Sequence, residues 1–268
     1  MAAQGIKLIR GNLDNIDALQ QLVAGTAAVI HTAGAVRGSC KQDFDHINVT
    51  GTAQLVTALS GQTPPPRLLL LSSLAARESQ LSWYAASKRA AETLLEERPD
   101  LDWTILRPPA VYGPGDKEML PVFRTMTRGI APLPGRPEAR ISLIHVSDLV
   151  AAIVSCLQTD ACRHRTLTLC DGKAGGYDWR DMADLVGSIW GCKVRLWRVP
   201  GWLLDSVAYI NLQSGRLTGR PAMLTPPKLR ELRHPDWVVD NSEITKVTGW
   251  SPLTGLKEGL ELLRKAEL

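Results

Sequence analysis

The stretch PRLLLLSS, Pro66 to Ser73, decides how the rest of the chain folds. Four consecutive leucines leave no polar face, as expected of a strand inside a parallel sheet that helices cover on both sides. A strand of a one-sided antiparallel sheet would alternate instead. The next segment, SWYAASKRAAETLL (Ser82 to Leu95), is alanine-rich and helical in pattern, and another short apolar run, Trp103 to Leu106, follows it. Upstream, IKLIR (Ile6 to Arg10) and AAVIH (Ala27 to His31) read as strands. Between them Ile16, Leu19, Leu22 and Val23 share one face of a helix over Asp14 to Val23. A second helix over Phe44 to Leu59 carries the stripe Phe44, Ile47, Leu55, Val56 and Leu59. Downstream, ISLIHV (Ile141 to Val146), a helix over Asp148 to Leu157 and the strand TLTLC (Thr166 to Cys170) continue the alternation. Strands alternating with helices predict an α/β fold with a doubly wound, mainly parallel Rossmann-like sheet.

After Asp171 the texture changes. Trp179, Trp190, Trp197, Trp202, Trp237 and Trp250 cluster there, between short helical patterns broken by Pro and Gly. The expected organisation is a partial cofactor domain over residues 1–172, with 114–140 contributing to the substrate lobe, and a mostly helical substrate-binding lobe over 173–268. In an open sheet of this kind ligands sit beyond the carboxyl ends of the strands, here after His31, Ser73 and Leu106.

The formal net charge of +4 over 268 residues is mild and no Lys/Arg run follows a phosphate backbone, so no nucleic-acid partner is expected. No segment approaches the ~20 apolar residues of a membrane span, so no membrane partner is expected and the cytoplasm is the default location. Cys40, Cys156, Cys162, Cys170 and Cys192 are an odd set without C-x-x-C, best read as free thiols. A metal site from Cys156, Cys162 and His164 has no recognised ligand spacing, and no metal is expected.

Tyr84 and Lys88 are one helical turn apart and therefore on one face. A phenol has a pKa near ~10, and a neighbouring cation favours the phenolate. A hydroxyl from Ser73 or Ser72 at the adjacent strand end could polarise a substrate oxygen while Tyr84 moves its proton. A half-buried tyrosine beside a surface lysine is the bland alternative for the same spacing.

Six ordered segments bear on that choice. VIHTAGAVRG (Val29 to Gly38), NVTGT (Asn48 to Thr52), LLLLSSLAA (Leu68 to Ala76), YAASK (Tyr84 to Lys88), LRPPAVYGPGD (Leu106 to Asp116) and LIHVSDLV (Leu143 to Val150) together resemble the extended short-chain dehydrogenase/reductases, the NAD(P)-dependent epimerase/dehydratase group. The likeness runs from about Lys7 to Val150, and more loosely through TGWSPLTGLKEGLELL (Thr248 to Leu263). It implies catalytic roles for Ser73, Tyr84 and Lys88, with Ser72 as the runner-up hydroxyl. Tyr84 would transfer the proton, and Lys88 would lower its pKa and bond the nicotinamide ribose. Thr32, Ala33 and Gly34 would pass close to the cofactor, Asn48 would brace the site, and Pro108 and Val111 would lie by the carboxamide. Asn12, in the place of a usual aspartate, and Leu13 would lie at the adenosine end. His145 and Asp148 would be structural. His31 reads as a core histidine and Arg37 as a solvated loop residue.

The family's G-x-x-G-x-x-G turn after its first strand does not occur in this sequence. IKLIRGNLD resembles the third strand, so roughly 50 residues of first strand, turn, helix and second strand would be expected upstream. The chain as given is accordingly expected to bind a dinucleotide weakly or not at all, with the strand AAVIH left as an apolar edge. NAD and NADP cannot be told apart, because the choice is made at the end of the second strand.

The resulting expectation is an NAD(P)-dependent oxidoreductase or epimerase/dehydratase acting on an alcohol or carbonyl carbon. The Trp- and Leu-rich lobe favours an apolar alcohol or ketone as small-molecule substrate. A nucleotide sugar would draw on Arg136, Arg140, Lys228 and Arg230 around its diphosphate. The resemblance also implies a homodimer, with the Tyr84 helix near the interface. A catalytically silent scaffold is the rival class: the intact Ser/Tyr/Lys set speaks against it, and the absent phosphate loop for it.

Overall fold

The computed structural model describes residues 5–266. The outer limits of the two expected domains, 1 and 268, lie outside the described residues. At the centre is a four-stranded parallel sheet of β1 (Ala28–His31), β2 (Arg67–Leu71), β3 (Trp103–Arg107) and a later strand, Arg165–Thr168, in that spatial order. The register sets Val29 beside Leu68, Leu69 beside Thr104 and Ile105 beside Thr166.

The leucine run behaves as a doubly covered strand should. Leu68 and Leu70 face α1 (Ile16–Val23), α3 (Gly51–Ser60) and α4 (Trp83–Glu96), in a core with Leu19, Leu55, Leu59 and Leu95. Leu69 faces the other way, into a core with Leu149 and Ile153 of a helix over Val146–Gln158. Each of these leucines is at most 1% exposed, which contributes on the order of 1.5–3 kcal/mol apiece before entropy is counted. A short helix, α2 (Lys41–Phe44), and a π-helical turn, Asp45–Thr50, lead into α3 without a break.

A second core lies beyond the strand ends. β4 (Ala110–Tyr112), α5 (Leu120–Thr127), β5 (Ile130–Leu133), β6 (Arg140–Ile141), β7 (Leu143–His145) and α6 (Val146–Gln158) precede β8 (Arg165–Thr168). After β8 come α7 (Trp179–Trp190), β9 (Arg195–Arg198), α8 (Gly201–Thr218), α9 (Pro226–Arg233), β10 (Asp236–Trp237), α10 (Ser242–Thr248) and α11 (Leu256–Lys265). Leu120, Phe123 and Met126 of α5 share one core with Met182 and Val186 of α7 and with Leu260 of α11. Short parallel ladders β4–β7, β5–β9 and β6–β10 tie this part together.

Two expected strands differ. Ile6 to Arg10 forms no strand: among the described residues none runs beside it to take its backbone hydrogen bonds, and Ile6 and Leu8 are 49% and 72% exposed. Ile141 to Val146 does not join the central sheet. It splits at Ser142 into β6 and β7, which pair with β10 and β4. β1 stands at the edge of the central sheet with Ile30 half exposed.

Candidate functional site

The site lies where β2 ends and α4 begins. Ser73, two residues beyond β2, caps a 3₁₀ turn over Leu74–Glu78, its Oγ accepting from the Ala75 N–H at 3.2 Å. That bond uses a lone pair and leaves the hydroxyl hydrogen free to donate. Ser72 is committed elsewhere: its hydroxyl donates to Glu92 Oε1 at 2.5 Å. Glu92, fully buried on α4, also takes Arg107 on both oxygens, at 2.8 and 2.6 Å, and Arg89 at 3.1 Å. A buried carboxylate so fully satisfied is a rigid support rather than a reactive group. Sequence reasoning missed it, although Glu92 lies one turn beyond Lys88 on the face that carries Tyr84.

α4 starts at Ser82, whose Oγ accepts from the Ala85 N–H at 2.9 Å. This cap fixes Tyr84 in the first turn, with its ring edge-on to Phe44 at 6.4 Å. Burial raises the phenol above its ordinary pKa; a hydrogen bond with the Ser73 side chain and the charge of Lys228 pull it down, and Glu231 and Glu118 push it up. The net direction is upward, so Tyr84 is protonated at neutral pH and can donate.

Lys88 is 7% exposed, so it is not the surface lysine of the bland alternative. Its ammonium donates to Leu71 O at 2.8 Å, at the end of β2. Burial lowers its pKa to about 8, against the opposing pull of Glu92. An ammonium has three donors, and among the described residues Lys88 uses one. The others are near the turn after β1, where a Cβ on Gly34 would sit 3.6 Å from Lys88 Nζ and 3.2 Å from Asn48 Oδ1. A bare backbone beside unspent buried donors is a fitting cradle for a polyhydroxylated ligand.

Asn48, 2% exposed in the π-helical turn, links the same parts. Its Oδ1 accepts from the Ala35 N–H at 2.7 Å, and its Nδ2 donates to Ala35 O at 3.0 Å and Ser87 Oγ at 2.8 Å. Insertions of this kind in helices often accompany functional sites. Thr32, Ala33 and Gly34 are exposed at the end of β1. Pro108 O accepts from the Leu74 N–H at 2.8 Å, joining the end of β3 to the turn after Ser73, and Val111 in β4 packs against the core that holds Leu69 and Leu106. The two adenosine-end residues are apart from this group. Asn12 is exposed, with its Oδ1 held by the Asp14 N–H at 3.0 Å, and Leu13 packs on the core against Gly51.

The lobe supplies a residue to the site as well. Lys228 of α9 holds its ammonium 5.4 Å from the centre of the Tyr84 ring and 2.7 Å from Glu231 Oε2. Glu231 is itself 6% exposed and accepts the Ser82 hydroxyl, which joins α9 to the cap of α4. Burial pulls the Lys228 pKa down and Glu231 more than offsets it, so the lysine is held charged. A narrow cleft beside Tyr84 is lined by Val36, Phe44, Ala222, Met223 and Pro227 together with Lys228.

The remaining sequence candidates, Arg136 apart, are engaged elsewhere. Arg230 donates to Leu81 O, Arg140 to Gly175 O, and Arg37 pairs with Glu118 at 2.7 Å. His31 is buried, its ring 3.0 Å from the Thr52 hydroxyl, and burial followed by the Lys88 charge lowers its pKa to about 4. His145 caps α6, and Asp148 accepts from the Thr254 N–H. Among the described residues no cluster of His, Cys, Asp or Glu could hold a metal.

A family model described as the NAD dependent epimerase/dehydratase family matches residues 1–167. The chain belongs to that family. A ceramide reductase of Caulobacter vibrioides is 33% identical over 243 residues, which is 90% of this chain and 74% of that protein. The fold is also that of family structures. A UDP-glucuronic acid 4-epimerase from Bacillus cereus, in complex with UDP-glucuronic acid and NAD, superposes with a TM-score of 0.73 at 18% identity, covering 96% of this chain and 81% of that one. The RMD of Pseudomonas aeruginosa, complexed with NADPH, gives 0.70 at 20% identity over 96% and 85%. Both likenesses support the Rossmann-like sheet drawn from the leucine run.

Proposed function

We propose that this member of the epimerase/dehydratase family is an NAD(P)-dependent reductase of an apolar, lipid-like ketone, with Ser73, Tyr84 and Lys88 at its centre. The observation that carries this is the meeting of Ser73 with a protonated Tyr84 at one end of the sheet, with the buried Lys88 one turn behind. The donor set fits the ribose and nicotinamide end of a dinucleotide: Lys88 has unspent donors, and the turn at Thr32, Ala33 and Gly34 lets backbone approach. When bound, NAD(P) supplies the hydride that reduces the carbonyl carbon.

The chain's own residues do the rest. The Ser73 hydroxyl donates to the carbonyl oxygen and stabilises the negative charge that develops there. Tyr84 gives that oxygen its proton, a direction that suits a phenol whose pKa is raised. Lys88 bonds the ribose hydroxyls. Asn48 fixes the distance between the turn after β1 and α4 through Ala35 and Ser87.

The substrate class rests on the apolar side of the cleft, Val36, Phe44, Trp83, Ala222, Met223 and Pro227, which faces the polar Ser82, Thr225, Lys228 and Glu231, and on the name of the Caulobacter relative. The test has two parts on the purified chain. Nicotinamide fluorescence is titrated with NADH and NADPH, and long-chain ketones are then assayed beside nucleotide sugars. Tyr84→Phe should keep cofactor binding and lose ~10²–10⁴-fold in turnover. A variant that retains turnover would overturn the assignment of Tyr84, and turnover of nucleotide sugars alone would overturn the substrate class.

A further inference from the structure

α8 is inverted relative to an ordinary surface helix. Ala208, Leu212 and Gly215 face inward, α8 packing on α9 and Gly215 lying against Ser39. The opposite side, where charge would be expected, carries Trp202, Tyr209, Ile210 and Leu217, exposed by 71%, 58%, 64% and 87%. At 100° per residue these four fall within about 100° of one another, with Ser206 and Gln213 between them. Trp197, on the strand β9 that leads into α8, is a further exposed ring, at 55%. A stripe of this size on the outside of a globular protein marks a contact surface.

Charge identifies what it contacts. Between Lys193 and Arg220 stand Lys193, Arg195, Arg198, Arg216 and Arg220, all exposed, against the single acid Asp205. Asp205 is already paired with Arg233 at 2.8 Å. This one segment therefore carries as much net positive charge as the whole chain, whose formal total is +4. Among the described residues Lys193, Arg195, Arg198 and Arg220 have no carboxylate within ion-pair distance.

We propose that the outer face of α8, together with the basic β9 segment that leads into it, docks on the anionic surface of a lipid bilayer. Trp and Tyr favour the headgroup level, with their apolar bodies in the acyl boundary, and the arginines pair with lipid phosphates. A second copy of the chain is the poorer occupant, since it would bring the same positive charge to the same face. The expectation of no membrane partner rested on the absence of a span, and surface docking requires none. The chain leaving α8 reaches Ala222 and Met223, which line the cleft beside Tyr84, so a docked lobe would hold the cleft near the bilayer.

The experiment is co-sedimentation of the full chain with phosphatidylcholine vesicles made with and without phosphatidylglycerol. The expected result is binding to the anionic vesicles only, weakening as salt is raised. Arg195→Gln with Arg198→Gln should lower partitioning by about 30-fold, and Trp202→Ser with Ile210→Ser and Leu217→Ser should lower it at least as far. All five positions are exposed, and an unchanged unfolding midpoint checks that the variants fold. The proposal is overturned if the parent does not bind the anionic vesicles or if either variant binds as well as the parent. It is also overturned if sedimentation equilibrium shows a dimer that the serine variant splits, because the face would then belong to a second copy. Neither result bears on Tyr84, so this proposal and the proposed activity fail separately.

Discussion

The ammonium of Lys228 is 5.4 Å from the centre of the Tyr84 ring, while Lys88, one turn from Tyr84 on the same helix, spends its nearest bond on Leu71 O. The cation that acts on the phenol in this structure comes from the lobe. The chain has four tyrosines, and the Tyr84 contribution is isolated as the difference between the ultraviolet phenolate titrations of the parent and of Tyr84→Phe. Lys228→Met should move the Tyr84 pKa upward, and Lys228→Arg should restore it. An unmoved titration would show that the two groups are not coupled.

The two adjacent serines should separate cleanly. Ser73→Ala should lower turnover by ~10²–10³-fold with little loss of stability, because in the proposed reaction its hydroxyl donates to the substrate oxygen. Ser72→Ala should cost about 1–3 kcal/mol in denaturant unfolding, because Glu92 loses a buried donor, with cofactor binding retained. The opposite pattern would assign the catalytic hydroxyl to Ser72.

His31 gives the fold a defined acid sensitivity. Its pKa falls from 6.5 to about 4 on folding, so the folded state keeps it neutral while the unfolded chain takes up a proton in that window. Stability is full above pH 6.5 and declines as the pH falls toward 4, by about 3 kcal/mol from this group. His31→Gln should flatten that part of the unfolding profile. An unchanged slope would place the acid sensitivity elsewhere.

Gly259 of α11 leaves room for the Tyr112 ring. A Cβ there would come within 2.6 Å of Tyr112 Cε2 and closer still to the hydroxyl, which donates to Gly255 O. Gly259→Ala should destabilise by about 1–3 kcal/mol through overpacking. Tyr112→Phe in the same chain should recover part of that loss; strictly additive costs would show that the two residues do not meet.

The central sheet was legible because Leu68 to Leu70 declare a strand buried on both faces, and helix periodicity around it left few topologies. IKLIR carries the same local signal and makes no strand, since pairing depends on a neighbour that local pattern cannot report. The ladders β4–β7, β5–β9 and β6–β10 are two to four residues long, too short for periodicity to mark. Tyr84, Lys88 and Asn48 could be singled out by spacing and resemblance. Nothing local distinguishes Ser73 from Ser72, which the partner Glu92 separates. Lys228 stood in the sequence only as one of several basic groups for a diphosphate. Its place over Tyr84 comes from tertiary packing, through a helix 144 positions further along the chain.

The cation over Tyr84 therefore travels with α9, not with the sheet. The same short helix contributes Pro227 and Lys228 to the wall of the cleft. A change that reshapes this wall for a different ligand would also reset the acidity of the Tyr84 phenol. Transplanting the lobe between relatives would carry both properties across as one inherited unit, and a chimaera that gained a new ligand would have to be re-optimised for pH.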